Sequence, residues 1–244
     1  MKRRNLFALL GLAAALPALA HARAPRTPLA TNTKMTSTLR STLHYLAFLP
    51  KSYSEKGEGV PLIVFLHGSG ERGNDLEKVK AWGPPAIAEK NRDFPFMVVS
   101  PQCPDGEQWH ALSLKAMLDE VLAKYKVDKT RVYLTGLSMG GYGAWDLASR
   151  YPGYFAAVAP ICGGGIARMV GNMRAIPTWV FHGKKDEAVP EEESARMVEA
   201  LKAAGGNVKY TMLPEAGHID AWVYAYGEAG LFEWFLEQRN AYAK

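Results

Sequence analysis

Cysteine is almost missing from this sequence, with Cys103 and Cys162 the only two in 244 residues. There is no Cys-x-x-Cys, and none of the six histidines is paired at helical spacing, so no metal site is signalled and the reading has none. No motif calls for an organic cofactor, and the cofactor reading is none. Excess charge is also lacking. The net charge of +5 includes Lys2, Arg3 and Arg4, and without residues 1–22, which hold no acid, it falls to +2. That is too little to argue for a nucleic-acid partner. Repeats and low-complexity tracts are absent. No apolar run reaches membrane-spanning length, since the longest, Leu6–Leu16, has eleven residues.

That short run has a different use. Lys2-Arg3-Arg4 precedes it and Ala18-Leu19-Ala20-His21-Ala22 follows it, which is the layout of a signal peptide. Arg3-Arg4 is compatible with a twin-arginine signal and equally with the general secretory route. The expected organisation is a signal peptide over 1–22, a flexible lead-in over 23–40 rich in Thr, Ala and Pro, and a catalytic domain over 41–244. The expected location is periplasmic or secreted, with no membrane partner after cleavage.

What the sequence does have is a regular alternation of strand-like and helix-like segments. Apolar or β-branched runs at Thr42–Leu49, Pro61–Leu66, Phe96–Ser100, Arg131–Leu134, Ala156–Ile161, Thr178–His182 and Val208–Leu213 read as strands. Between them, Leu114, Met117, Leu118, Val121, Leu122 and Tyr125 form a one-sided helix with Ser113 as the expected N-cap. A helix over 74–91 should be interrupted at Gly83-Pro84-Pro85. Pro190 should open a helix ending near Gly205-Gly206, and Leu231–Leu236 should open a terminal one. The fold class that follows is α/β, with one domain and a mostly parallel sheet flanked by helices on both faces.

The stretch Thr135-Gly136-Leu137-Ser138-Met139-Gly140-Gly141 joins a strand to a helix through Gly-x-Ser-x-Gly. Such a turn is too tight for a Cβ at Gly136 or Gly140, and it pushes a strained serine clear of the backbone at a helix N-terminus. Reactive groups in such sheets gather past the carboxyl ends of strands. Asp186 follows one strand and His218 the next, giving Ser138, Asp186, His218 as the candidate triad.

These motifs, with the His67-Gly68-Ser69-Gly70 turn, the Gly-x-x-Asp-x-x-Val-Pro loop and Gly217-His218, resemble the α/β-hydrolase superfamily over roughly residues 42–240. The closer resemblance is to its small secreted esterases, the feruloyl-esterase and polyhydroxybutyrate-depolymerase-like branch often labelled as predicted peptidases. The resemblance implies a serine hydrolase acting on short-chain or aromatic acyl esters, with a feruloylated or acetylated saccharide among the candidate substrates. A prolyl-oligopeptidase-like serine peptidase is the alternative, and a non-catalytic binding protein on the same fold is the third reading. Fluorophosphonate labelling of Ser138 separates the last, and an ester-against-anilide comparison the first two. The oxyanion donors implied are the backbone N–H groups of Met139 and Ser69, with Gly70 as second choice for the latter. Trp109 and Trp222, read as loop residues, are the candidate substrate-pocket walls. His182 reads as packing, and His67 as shaping the oxyanion turn. Glu71 and Arg72 either pair with each other or fix that turn. Asp220 and Glu187 are the rival acids. In the family's strand order the strands before Cys103 and Cys162 are not neighbours, which favours free thiols over a disulfide.

Overall fold

The computed structural model describes residues 42–241 and 243. The export-signal and lead-in readings therefore fall outside the described residues. Seven strands form one sheet: β1 (Tyr45–Phe48), β2 (Val60–Leu66), β3 (Met97–Pro101), β4 (Val127–Leu137), β5 (Ala157–Ile161), β6 (Thr178–Gly183) and β7 (Val208–Leu213). The order across the sheet is β1-β3-β2-β4-β5-β6-β7, and only β1 is antiparallel to its neighbour. Every crossover between parallel strands carries at least one helix or 3-10 turn: α1 (Gly83–Lys90), α2 (Ala111–Lys124), α3 (Met139–Arg150) and α4 (Glu192–Ala203), with α5 (His218–Gly227) and α6 (Leu231–Glu237) after the last strand.

The continuous apolar runs are explained by coverage of both faces. Successive strand residues point to opposite sides. Leu62, Val64 and Leu66 join Val132 and Leu134 in a core with residues of α2, α3 and α4. Ile63 and Phe65 join Tyr133 in a second core with Ala221, Trp222 and Ala225 of α5 and Leu231 and Phe235 of α6. Among the described residues no helix is long and apolar enough to cross a membrane.

Three local expectations change. Gly83-Pro84-Pro85 does interrupt the 74–91 region, but it does so as the start of α1, with proline in the first turn where no backbone N–H is needed. The segment before it is a short 3-10 turn over Leu76–Lys80. Helix α2 begins at Ala111 with His110 as N-cap, so Ser113 lies inside the helix rather than capping it. Helix α5 begins at His218 itself, so Trp222 stands on a helix and not on a loop.

Candidate active site

Strand β4 delivers Ser138 between the sheet and α3. Its backbone sits at φ 54, ψ −120, a region that non-glycine residues avoid. Hydrogen bonds from Ser138 N–H to Ile161 O (2.9 Å) and from Gly141 N–H to Ser138 O (2.8 Å) hold the strained turn. The glycines are required by contact. A Cβ on Gly140 would stand 1.9 Å from Leu66 O, and one on Gly136 would stand 2.4 Å from Gly140 O.

The segments that follow β6 and β7 converge on that serine. His218 Nε2 lies 2.9 Å from Ser138 Oγ. His218 Nδ1 lies 2.5 Å from Asp186 Oδ2, so Nδ1–H donates to the carboxylate and Nε2 is left to accept from the serine hydroxyl. The Asp186 side chain is fully buried. Burial pushes its carboxyl up, but the Val189 and Ala188 N–H groups (2.8 and 2.9 Å) and His218 outweigh this and hold it below the usual carboxylate range. His218 opens α5, where Gly217 N–H donates to Asp220 Oδ2 (2.8 Å). Asp220 thus caps the helix, while Glu187 is exposed. The His218 ring rests edge-on against Trp222, with centroids 4.9 Å apart at 80°.

His182, read from sequence as packing, does pack, but it also touches the acid. It is wholly buried, with Nε2 2.9 Å from Val189 O and 3.1 Å from Asp186 Oδ2, and Nδ1 2.7 Å from Ser194 Oγ. It ties the loop carrying Asp186 to α4. Its position four residues before Asp186 was the available signal. Among the described residues, Cys162, His182 and Asp186 are the one group with donor atoms close enough to hold a metal. The carboxylate in that group is the same one that His218 uses.

The turn after β2 lies across from Ser138. His67 is buried; its Nδ1–H donates to Gly68 O (2.6 Å) and its Nε2 accepts from Cys103 N–H (3.0 Å). Burial lowers its pKa to about 4, helped by the charge on Arg72 and opposed by the Gly68 carbonyl. Trp109 donates its indole N–H to His67 O (3.1 Å) and places its ring edge on the imidazole at 4.8 Å. Trp109 is only 8% exposed and also packs on Gly143 of α3. Ser69 and Gly70 are exposed at the tip. Met139 is the first residue of α3, and the opening amides of a helix have no intrahelical acceptor.

Residues Trp82, Ala86, Ile87, Trp222, Val223 and Tyr226 line an open groove of about 210 Å³ between α1 and α5; Trp222, which touches His218, is one of its walls. A larger hollow of about 480 Å³ around Leu122, Val132 and Tyr154 is six residues down β4 from Ser138, roughly 20 Å of strand, and does not belong to this site. Cys103 and Cys162 are both free and buried, as the strand order suggested. Burial pushes both thiols up, so neither is a thiolate nucleophile.

The sequence model of the Dienelactone hydrolase family matches residues 31–222. A poly(3-hydroxyalkanoate) depolymerase C from Paucimonas lemoignei is 36% identical over an alignment of 121 residues that covers 43% of this chain and 28% of that protein. A bifunctional acetylxylan esterase/xylanase from Neocallimastix patriciarum is 29% identical over 136 residues, 53% of this chain and 20% of that protein. Among solved structures, a thermostable esterase superposes with a TM-score of 0.68 at 35% identity, covering 80% of this chain and 59% of that one. The chain thus spans about a quarter of the length of the two curated relatives.

Proposed function

The chain belongs to the dienelactone hydrolase family, and from that premise we propose that it is a serine carboxylesterase acting on short-chain or aromatic acyl esters. The observation that carries this reading is the unbroken relay from Asp186 through His218 to the strained Ser138. In the proposed cycle His218 Nε2 takes the Ser138 proton as Oγ attacks the ester carbon. It returns that proton to the departing alkoxide, leaving an acyl-enzyme. A water, losing its proton to the same nitrogen, then attacks the acyl carbon; the bond to Ser138 Oγ breaks, His218 returns the proton to Oγ and the acid leaves. Asp186 keeps Nδ1 protonated and balances the imidazolium. Met139 N–H and Ser69 N–H are the proposed donors to the oxyanion, aided by the positive end of α3.

The substrate class is argued from shape. The groove beside Trp222 is walled by aromatic and aliphatic side chains, and at about 210 Å³ it exceeds the ~150 Å³ that accommodates a benzene ring in a protein interior. It lies one ring away from His218. An aromatic or short aliphatic acyl group fits it, and the names of the relatives, a hydroxyalkanoate depolymerase and an acetylxylan esterase, agree with ester substrates of small acyl units. Secretion to the periplasm or exterior is part of the proposal, resting on residues 1–22. The deciding experiment combines fluorophosphonate labelling with a panel of nitrophenyl acetate, butyrate and palmitate, a feruloyl ester and a peptide anilide. Labelling at Ser138 with turnover of the short and feruloyl esters is expected. An unlabelled protein, or one that cleaves only the anilide, overturns the reading.

A further inference from the structure

Glu71 has no part in the relay, yet its carboxyl points into the same site. Its chain position, four residues after His67 in a glycine-rich run, leaves a surface ion pair with Arg72 open. Instead the 3-10 turn Ser69–Glu71 brings the side chain back inward, leaving it 14% exposed. A Cβ on Gly68 would stand 3.3 Å from Glu71 Oε2 and 3.6 Å from Ser138 Cβ, so that oxygen and the nucleophile flank the same glycine. His67 Nδ1 is 3.9 Å away, with its proton already given to Gly68 O. Among the described residues no lysine or arginine forms an ion pair with Glu71. Burial pushes the carboxyl above its usual range, against the Gly68 and Glu71 amides, which favour the charged form.

The rest of the turn is anchored from below. Gln102 Nε2 donates to Glu71 O and Asp75 O, both at 2.8 Å. Trp109 holds His67 O, and His67 holds Gly68 O. These bonds fix both flanks of the turn and, through Gly68 O, the plane of the Gly68–Ser69 peptide, but they bind no other backbone group of Gly68, Ser69 or Gly70. Two of those three residues are glycines, with the widest backbone freedom.

We propose that Glu71 is a positioning residue for the oxyanion site: its carboxyl oxygen, folded back on the Gly68 amide, holds the His67–Gly68 peptide, and together with the His67 bond to Gly68 O this keeps the turn in the shape that leaves the Ser69 N–H facing the oxygen of a substrate carbonyl bound at Ser138. The task needs an acceptor and not a charge, since no cation answers the carboxylate. The inference rests on the serine-hydrolase reading above.

Glu71→Gln keeps volume and acceptor, whereas Glu71→Met keeps volume and removes the acceptor. With nitrophenyl butyrate, Glu71→Gln should retain kcat within about threefold. Glu71→Met should lose on the order of a hundredfold in kcat, with KM unchanged within twofold, as when an oxyanion donor is misplaced. The rate of fluorophosphonate labelling at Ser138 should fall in the same pattern, and it reads the turn even if no ester is turned over. A wild-type protein that labels but hydrolyses no ester defeats the substrate reading and leaves the Glu71 comparison standing. Full kcat in Glu71→Met, an equal loss in Glu71→Gln, or a change confined to KM overturns the proposal. If Glu71→Met does not fold, as judged by Tm, Glu71→Ala replaces it, removing the acceptor without adding bulk. An unchanged labelling rate there overturns the proposal too.

Discussion

At Ser138, His218 and Asp186 single atoms decide the outcome. Ser138→Ala should reduce turnover by roughly a million-fold while Tm stays within a few degrees, and Asp186→Asn by roughly ten-thousand-fold through the wrong His218 tautomer. Initial rates with nitrophenyl butyrate check both, and near-normal rates would show that the relay is not the reacting group. His67 makes a separate prediction. Its folded pKa of about 4 lies below the unfolded value near 6.5. Between these pH values the unfolded chain binds the extra proton, so stability rises with pH across that window and is lost as pH falls through it. The full effect is on the order of 3 kcal/mol. Asp186, whose carboxyl is depressed, adds a loss at lower pH, as the medium passes its folded value. Urea denaturation at pH 7 and pH 4.5 should show the drop, and a His67→Gln protein should lose most of the upper part. The buried thiols should stay unreactive to a thiol reagent in the native state and yield two equivalents on unfolding, with or without reductant.

Among the elements, what the sequence disclosed and what it hid have separate physical causes. The parallel strands were legible because burial on both faces forces unbroken apolar runs, as in Pro61–Leu66. The elbow was legible because close packing at Gly136 and Gly140 excludes every other residue. Ser138, Asp186 and His218 could be named as candidates because each follows a strand end, and the structure brings their side chains into hydrogen-bond contact. Helix α5 was not, although Trp222, Ala225 and Tyr226 are buried on one face. Its cap is a glycine, and Ile219 and Val223 are exposed, which blurs the apolar stripe. The start of α1 was hidden because proline reads as a breaker and serves here as an initiator. The bonds from Gln102 to Glu71 O and Asp75 O, which tie down the Ser69–Glu71 turn, join segments far apart in the chain, which local pattern does not encode, and the contact of His182 with Asp186 depends on how the loop after β6 folds back on α4. The elbow's packing yields a test: Gly140→Ala places a methyl 1.9 Å from Leu66 O, so β2 and α3 must separate. A fall in Tm of several degrees, with activity reduced at least a hundredfold, is expected. Unaltered Tm and activity would mean that β2 and α3 can part at this turn without cost.

For the whole molecule, selectivity should follow from how the site is walled. The strands bearing Ser138, Asp186 and His218 are joined by short crossovers. The segment between β5 and β6 is a 3-10 turn, Ala167–Met173, rather than an apolar flap. The groove beside Trp222 is open to solvent, and its aliphatic wall at Val223 is half exposed. A groove of about 210 Å³ buries a phenyl ring or a four-carbon chain but leaves most of a sixteen-carbon chain in water. Each methylene beyond the groove then forgoes its ~0.8 kcal/mol of burial. Esters should also outrun amides, because an alkoxide leaves more readily than an amine that must first be protonated by His218. We therefore expect kcat/KM for nitrophenyl butyrate to exceed that for the palmitate ester and for a matched peptide anilide by at least tenfold each, with the feruloyl ester comparable to butyrate. Trp222→Ala should reduce the feruloyl rate through KM more than the acetate rate, since the larger acyl group has more apolar surface to place against the ring, while loss of the ring against His218 should lower kcat for both. A preference for palmitate would require an apolar surface larger than this groove, and a preference for the anilide would turn the assignment toward peptide bonds.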